Sequence, residues 1–153
     1  GDWSSDVCSS DLYIGIETIR VAIEEILEGK NKTNQIKLIR DKFEKQIKEH
    51  FPNIVIFGEG SERISNTSFI SLPNTQASDI QDELQMKKIF VTTSSACSDQ
   101  KGQLSRILDK MNVNAQDGSG AIRVSFCYQT TEQDCDFLFQ TLSEIFKNAM
   151  NTH

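Results

Sequence analysis

Hydrophobic and polar positions follow a helical period in the first third of the chain. Apolar residues recur every three or four positions in IETIRVAIEEIL (16–27), which predicts a helix. A second helix is predicted in QIKLIRDKFEKQIKEHF (35–51), whose lysines and glutamates form a solvated face. Thr33 or Asn34 could cap its start, and Pro52 ends it. The pattern therefore predicts two helices joined by a polar break.

Short apolar runs bounded by turn residues predict four strands in the remaining chain. The strands cover residues 53–58, 66–72, 88–93 and 121–126, and further helices cover 78–87, 102–111 and 132–150. The element order ααββαβαβα predicts an α+β fold, with one small four-stranded sheet and helices mainly on one face. Leu84 should point inward, and the last helix should dock on the sheet. Its apolar residues are Phe137, Leu138, Leu142, Ile145 and Phe146.

Polar residues mark where several predicted elements start or end. Ser78 is the predicted cap of the helix after the second strand. The segment NAQDGSG (114–120) is predicted to be a turn with a structural role only. A capping box is predicted to open the last helix, formed either by Thr130 with Gln133 or by Thr131 with Asp134.

Residues 1–12, GDWSSDVCSSDL, differ from the rest of the chain. They show no periodicity, contain the only Trp and end abruptly against YIGIETIR. They also lack the basic start and apolar centre of a secretory signal peptide. The segment resembles the translation of a sequencing adapter. We therefore expect it not to belong to the native protein, and we expect residues 13–150 to form a single α+β domain.

The composition is that of an ordinary folded domain with a mild negative charge. The formal charge is −6, and removing the three aspartates of residues 1–12 from the 22 acidic side chains leaves 19 against 16 basic ones, a charge of −3. No basic stretch carries interleaved aromatic residues. No apolar run approaches the roughly 20 residues that span a bilayer. We therefore expect neither a nucleic acid nor a membrane as a partner.

Three cysteines remain after residue 12, namely Cys97, Cys127 and Cys135. Because they lack CxxC spacing, they predict a reducing, cytoplasmic setting rather than a disulfide framework. The only histidines are His50 and His153, so neither a metal site nor Cys–His catalysis is expected. Cys127, at a strand end, and Cys135, on a helix, are predicted to be packing residues. For Cys97, in TTSSACSDQKG, the residues alone leave burial and chemistry both open.

Arg123 lies in the otherwise apolar strand AIRVSF, where a charge requires a partner. A guanidinium fork binds a carboxylate through two hydrogen bonds. Arg123 is therefore interpreted either as the partner of an acidic side chain or as the binding residue for a carboxylate ligand.

Four motifs follow one another along the chain, namely RISNTSFIS (63–71), VTTSSACS (91–98), LSRIL (104–108) and GSGAIRVSFCYQTTEQDCD (118–136). In this order they resemble motifs of cysteine desulfurases of the NifS/IscS type, which belong to the class-V aminotransferase group of pyridoxal-phosphate enzymes. The counterparts in that family are a strand RlpNTlNiSf, a loop SSGSACSS, a helix start, and siRfSlgr followed by TTeeEid. The resemblance spans roughly residues 13–148, and it implies the fold of the small C-terminal domain of fold-type I enzymes.

The resemblance also implies a function for the full-length enzyme. Such an enzyme uses pyridoxal 5′-phosphate to take sulfur from L-cysteine, giving L-alanine and a persulfide on the catalytic cysteine, here Cys97. Arg123 would bind the substrate carboxylate, whereas Arg63 and Asn66 match motif positions to which we assign a fold role. The implied partners are a sulfur-acceptor or scaffold protein, as in iron–sulfur cluster assembly, and a second copy in a homodimer.

Several positions depart from the family pattern. Ser94 replaces the usual Gly, Ser65 replaces the usual Pro, and FCYQ replaces slGr. The cofactor lysine of the family lies in an SxHK-like segment of its large N-terminal domain, and no such segment occurs in this sequence. We therefore expect this chain to be a fragment of a truncated reading frame. By itself it should bind no pyridoxal phosphate and turn over no cysteine.

Two other hypotheses stay open. A class-V aminotransferase-type enzyme without desulfurase activity would share the arginine strand but would not need Cys97. A stand-alone α+β binding or thiol-carrier module would fold independently, and its reading frame would start just before Tyr13.

Overall fold

A computed structural model of the chain describes residues 9–29, 32–93 and 106–151. Helices and strands follow the predicted order, with one additional short helix before the last strand. The helices are α1 (Ser9–Gly29), α2 (Thr33–His50), α3 (Ala77–Met86), α4 (Arg106–Lys110), α5 (Ala115–Gly118) and α6 (Glu132–Asn151), and the strands are β1 (Val55–Ile56), β2 (Thr67–Ser71), β3 (Thr92–Thr93) and β4 (Ala121–Ser125).

The four strands form one antiparallel sheet in the order β1–β2–β4–β3. The central strands β2 and β4 are joined by five residue pairs, from Thr67 opposite Ser125 to Ser71 opposite Ala121. The short strands β1 and β3 pair with the outer edges of β2 and β4. β4 therefore lies between two strands that come from earlier parts of the chain.

One face of the sheet is covered by α2, α3 and α6, which share a single hydrophobic core with the strands. Ile70 and Ile122 of the central strands are fully buried in this core, as is Leu84 of α3. Because alternate strand residues point to opposite faces, the residues next to Ile70 and Ile122 in sequence lie on the other face of the sheet. The predicted α+β fold with helices mainly on one face is confirmed.

The apolar face of α6 contributes to this core largely as predicted. Phe137 is the exception: it is 50% exposed, because the apolar stripe of the helix turns away from its position. The residues of the predicted set that are buried are Leu138, Leu142, Ile145 and Phe146.

The opposite face of the sheet is only partly covered. Around its β1 end lies a small cluster formed by Phe57, Leu108 of α4 and Ala121, with Phe69 packed against it. Farther along β4, Arg123 and Ser125 are exposed. We call this uncovered part of the sheet, defined by Arg123, Ser125 and their cross-strand neighbours, the open face.

Helix starts differ in part from the sequence predictions. The capping box of α6 is formed by Thr131 and Asp134, whose backbone N–H groups donate to each other's side chains at 2.8 and 3.2 Å. Ser78 is not a cap, because α3 begins one residue earlier, and Lys32 rather than Thr33 or Asn34 precedes α2. The segment 114–120, predicted to be a turn, contains α5. The N–H of Asp117 in this helix donates a hydrogen bond to the side chain of Asn114.

The first predicted helix is present as α1, but its apolar residues are not buried. Ile16, Ile19 and Ile23 are all at least half exposed. The contacts of α1 with the rest of the chain include one hydrogen bond of 3.4 Å from the Tyr128 hydroxyl to Glu25. α1 begins at Ser9 and so extends into the adapter-like residues, and the boundary at residue 13 stays a prediction.

Candidate functional site

Arg123 occupies the centre of the open face. It lies in the middle of β4, where Ile122 and Val124 on either side point into the core. The period-2 alternation of a strand therefore directs its side chain away from the core, and it is exposed. An exposed guanidinium in a central strand can be reached by a ligand that approaches this face of the sheet.

The register of the sheet gives Arg123 two direct neighbours. Phe69 of β2 lies opposite it on one side and Thr92 of β3 lies opposite it on the other. Both neighbours are half-buried. Directly opposed residues of antiparallel strands have Cβ atoms about 5 Å apart, so the three side chains form one row across the open face.

The side chain of Arg123 has no hydrogen-bond or ion-pair partner among the residues that the structure describes. Arg20, Arg40 and Arg63, in contrast, are paired with Glu17 and Glu24, with Asp41 and with Glu44, respectively. The alternative that Arg123 pairs with an acidic side chain thus finds no partner in these ranges. Its fork stays available for a carboxylate.

Cys97, the predicted nucleophile, lies outside the described residues. The described chain before it ends at Thr93, which pairs with Ile122 next to Arg123. Cys97 follows Thr93 by four residues in the sequence.

Cys127 is exposed, so the prediction that it is a packing residue was wrong. It follows β4 in the turn 127–130, where the Thr130 hydroxyl lies 3.5 Å from its sulfur and the Thr130 N–H bonds its carbonyl at 3.0 Å. The hydrogen bond from the Thr130 hydroxyl, with one from the Gln129 N–H, lowers the pKa of Cys127. Cys135, in contrast, is buried as predicted, and burial raises its pKa to about 11.

These two pKa shifts predict unequal thiol reactivity. In the 153-residue chain, iodoacetamide at mildly alkaline pH should alkylate Cys127 much faster than Cys135, because only a thiolate reacts and the lowered pKa enlarges its population. Peptide mass spectrometry after a timed quench measures both sites in one sample. Equal rates in the folded chain would contradict the assigned environments, and equal rates in urea are the control.

Arg63 and Asn66 lie in the loop between β1 and β2 and connect it to other elements. The Arg63 fork donates to both carboxylate oxygens of buried Glu44 at 2.8 and 2.6 Å, which raises the pKa of Arg63. The carbonyl of Asn66 accepts a hydrogen bond of 2.8 Å from the N–H of Phe126, just after β4. These contacts support the predicted fold role and tie the β1–β2 loop to α2 and to the end of β4.

Two cavities of the described surface lack the groups that would hold pyridoxal phosphate. A cavity of about 490 Å³ next to α5 has Asp117 as its one charged lining residue and contains no lysine. A second, of about 340 Å³, is lined by more carboxylates than lysines, and its Lys45 and Lys48 pair with Glu49 and Glu59. Neither cavity combines a free lysine with cationic groups for a phosphate.

The described residues also carry no arrangement that points to a metal or a membrane. Within these ranges, no three His, Cys, Asp or Glu side chains are grouped closely enough to hold a metal ion. Nor does any helix within them combine the length and apolar character needed to cross a membrane.

A sequence model of the family described as aminotransferase class-V matches residues 13–138. The chain belongs to this family. Cysteine desulfurase IscS of Dictyoglomus turgidum is 27% identical over 134 residues, which cover 87% of this chain and 34% of that protein. A cysteine desulfurase of Sinorhizobium fredii is also 27% identical, with 87% and 35% covered. This class-V chain thus spans about a third of the length of the curated relatives it matches.

Solved structures give the same relationship. The NifS-like protein from Rickettsia africae superposes with a TM-score of 0.66 at 25% identity, covering 75% of this chain and 29% of that one. A second NifS-like protein superposes with a TM-score of 0.65 at 26% identity, covering 83% and 30%. The resemblance inferred from the four motifs is therefore confirmed at the level of family and fold.

The sequence predicted Arg123 as a binding residue of the class-V chain but did not point to its neighbours. Phe69 lies 54 residues before Arg123 in the chain and Thr92 lies 31 before it, and only the strand register joins them. A signal for Thr92 was present, because the alternation in the third predicted strand places it on the face opposite to buried Thr93.

Proposed function

We propose that this class-V chain is the C-terminal part of a cysteine desulfurase, which takes sulfur from L-cysteine and leaves L-alanine and a persulfide on Cys97. The observation that carries the proposal is the free guanidinium of Arg123 on the open face, beside the strand that leads to Cys97. The relatives named cysteine desulfurase support it, since they match 87% of this chain.

In this proposal, Arg123 binds the carboxylate of L-cysteine. A guanidinium fork donates hydrogen bonds to both carboxylate oxygens, and its place in a central strand fixes the orientation of the substrate. The substrate thiol is then directed by the rest of the amino acid rather than by Arg123 itself. In the proposal, the nucleophile that meets this thiol comes from the segment after β3, to which Cys97 belongs.

Cys97 would be the nucleophile and first sulfur acceptor. Its thiolate attacks the sulfur of L-cysteine, so that an S–S bond forms while the substrate C–S bond breaks. The carbon keeps the electron pair of the broken bond and takes a proton, which gives the methyl group of alanine. One sulfur atom is thereby transferred, and Cys97 holds it as a persulfide for a later acceptor.

The remaining requirements belong to the whole enzyme. Pyridoxal 5′-phosphate would supply the electron sink that C–S cleavage requires. We propose that it is held by residues outside the described ranges, because the cavities found in those ranges do not fit it. We further propose a cytoplasmic homodimer that passes sulfur to an acceptor or scaffold protein, as in iron–sulfur cluster assembly.

A conservative substitution of Arg123 tests the carboxylate role. In the full-length protein encoded by the gene, Arg123→Lys should raise the KM for L-cysteine about tenfold or more. The reason is that a compact ammonium group replaces a guanidinium that donates two parallel hydrogen bonds to the carboxylate. Alanine release measured against L-cysteine concentration gives the value. Arg20→Lys, at an exposed ion pair of α1, is the matched control. An unchanged KM in the Arg123 variant would contradict the proposal.

Two competing functions predict other results. A class-V enzyme without sulfur chemistry would act on an amino acid in an Arg123-dependent way, but it would do so without Cys97. A stand-alone thiol module would have a reading frame that starts just before Tyr13 and no enzymatic turnover. The sequence of the gene upstream of Tyr13 and the activity of a Cys97 variant separate the three.

A further inference from the structure

The row of side chains around Arg123 contains a second hydrogen-bond donor. Thr92 lies directly opposite Arg123 on β3, so the two Cβ atoms are about 5 Å apart on the same face. Thr92 is half-buried, and its hydroxyl has no hydrogen-bond partner among the described residues. The charged guanidinium of Arg123 and the neutral hydroxyl of Thr92 are therefore close enough to bind the same acceptor group.

The other flank of Arg123 is apolar. Phe69 lies opposite Arg123 on β2, and its ring centroid is 4.8 Å from that of Phe57. This pair belongs to the small cluster with Leu108 and Ala121. A carboxylate on that side would lose water without gaining a donor, which costs free energy. A bound carboxylate is therefore favoured on the β3 side of the guanidinium.

We propose that Thr92 is a second binding residue for the carboxylate held by Arg123, and that Phe69 restricts this carboxylate to the β3 side. The inference rests on the proposed role of Arg123 and deepens it. It follows that the carboxylate binds beside β3, the strand that precedes Cys97 in the sequence, and not over the centre of the sheet. Thr92 acts through binding and orientation, and it takes no part in bond breaking.

Acetate is a suitable probe, because it presents a carboxylate without the rest of a substrate. In the 153-residue chain, the Nε signal of Arg123 should shift saturably in NMR spectra as sodium acetate is added, with sodium chloride keeping the ionic strength constant. Thr92→Val keeps the β-branched shape and removes the hydroxyl, and it should weaken acetate binding about fivefold. Thr92→Ser restores a hydroxyl and should bind within about twofold of the original chain.

Thr67→Val is the matched control, since Thr67 is also half-buried on the open face but lies opposite Ser125 rather than Arg123. It should leave acetate binding unchanged. Equal affinities for the chain and its Thr92→Val variant would overturn the inference, as would an Arg123 signal that chloride shifts as much as acetate does. Neither result depends on sulfur chemistry, so the proposed function is scored separately, by alanine and persulfide formation in the full-length protein.

Discussion

Replacing Cys97 by alanine in the full-length protein should abolish persulfide formation from L-cysteine. A methyl group has no lone pair with which to attack the substrate sulfur, so the S–S bond cannot form at this position. Removing a covalent nucleophile lowers turnover by about a thousandfold or more. Alanine release should fall by that factor, and the persulfide-bearing peptide should vanish from mass spectra of alkylated protein.

The matched control for this experiment is Cys127→Ala. Cys127 is exposed and its pKa is lowered, so it is the described thiol best able to act as an alternative nucleophile. Cys135 is buried with a pKa of about 11 and is poorly suited to that role. Cys127→Ala should keep alanine release within about twofold of the original protein, as substitutions outside a site generally do. Loss of activity in this variant with retention in Cys97→Ala would reassign the sulfur acceptor.

The parts of the fold that sequence reasoning predicted are those governed by local periodicity. The helix 132–150 corresponds to α6 because its apolar residues recur at a helical period, and Leu142 and Phe146 are fully buried accordingly. The exposure of Arg123 follows from the same kind of signal, because a charge interrupts an apolar strand. Such signals lie within a few residues of one another, so no knowledge of the tertiary structure is needed to see them.

The features that were missed depend on contacts that periodicity does not report. Cys127 was expected to pack, but it is exposed in a turn where the Thr130 hydroxyl lies 3.5 Å from its sulfur, and Thr131 rather than Thr130 forms the capping box. Phe69 and Thr92 join Arg123 only through strand register, which is set when three separate strands pair. The helix α1 was predicted correctly from the spacing of its apolar residues. That spacing alone does not say which part of the molecule covers these residues.

Gly120 fixes the start of the strand that carries Arg123. A Cβ at this position would lie 2.2 Å from the Thr75 hydroxyl and 2.5 Å from the carbonyl oxygen of Leu72. The same two atoms form a buried hydrogen bond of 2.6 Å. Because one of them belongs to the backbone, no side-chain rotation can make room. The chain must therefore pass this point without a side chain for β4 to pair with β2.

Gly120→Ala should lower the free energy of unfolding by about 2–4 kcal/mol. Overpacking costs about 1–3 kcal/mol, and loss of the Thr75 hydrogen bond adds about 1 kcal/mol. Urea unfolding followed by circular dichroism measures the change. Gly15→Ala is the control, because a Cβ there meets nothing within 4 Å, and alanine in a helix is favoured over glycine. If Gly120→Ala unfolds at the same urea concentration as Gly15→Ala, the close approach of β4 to residues 72–75 is not what positions Arg123.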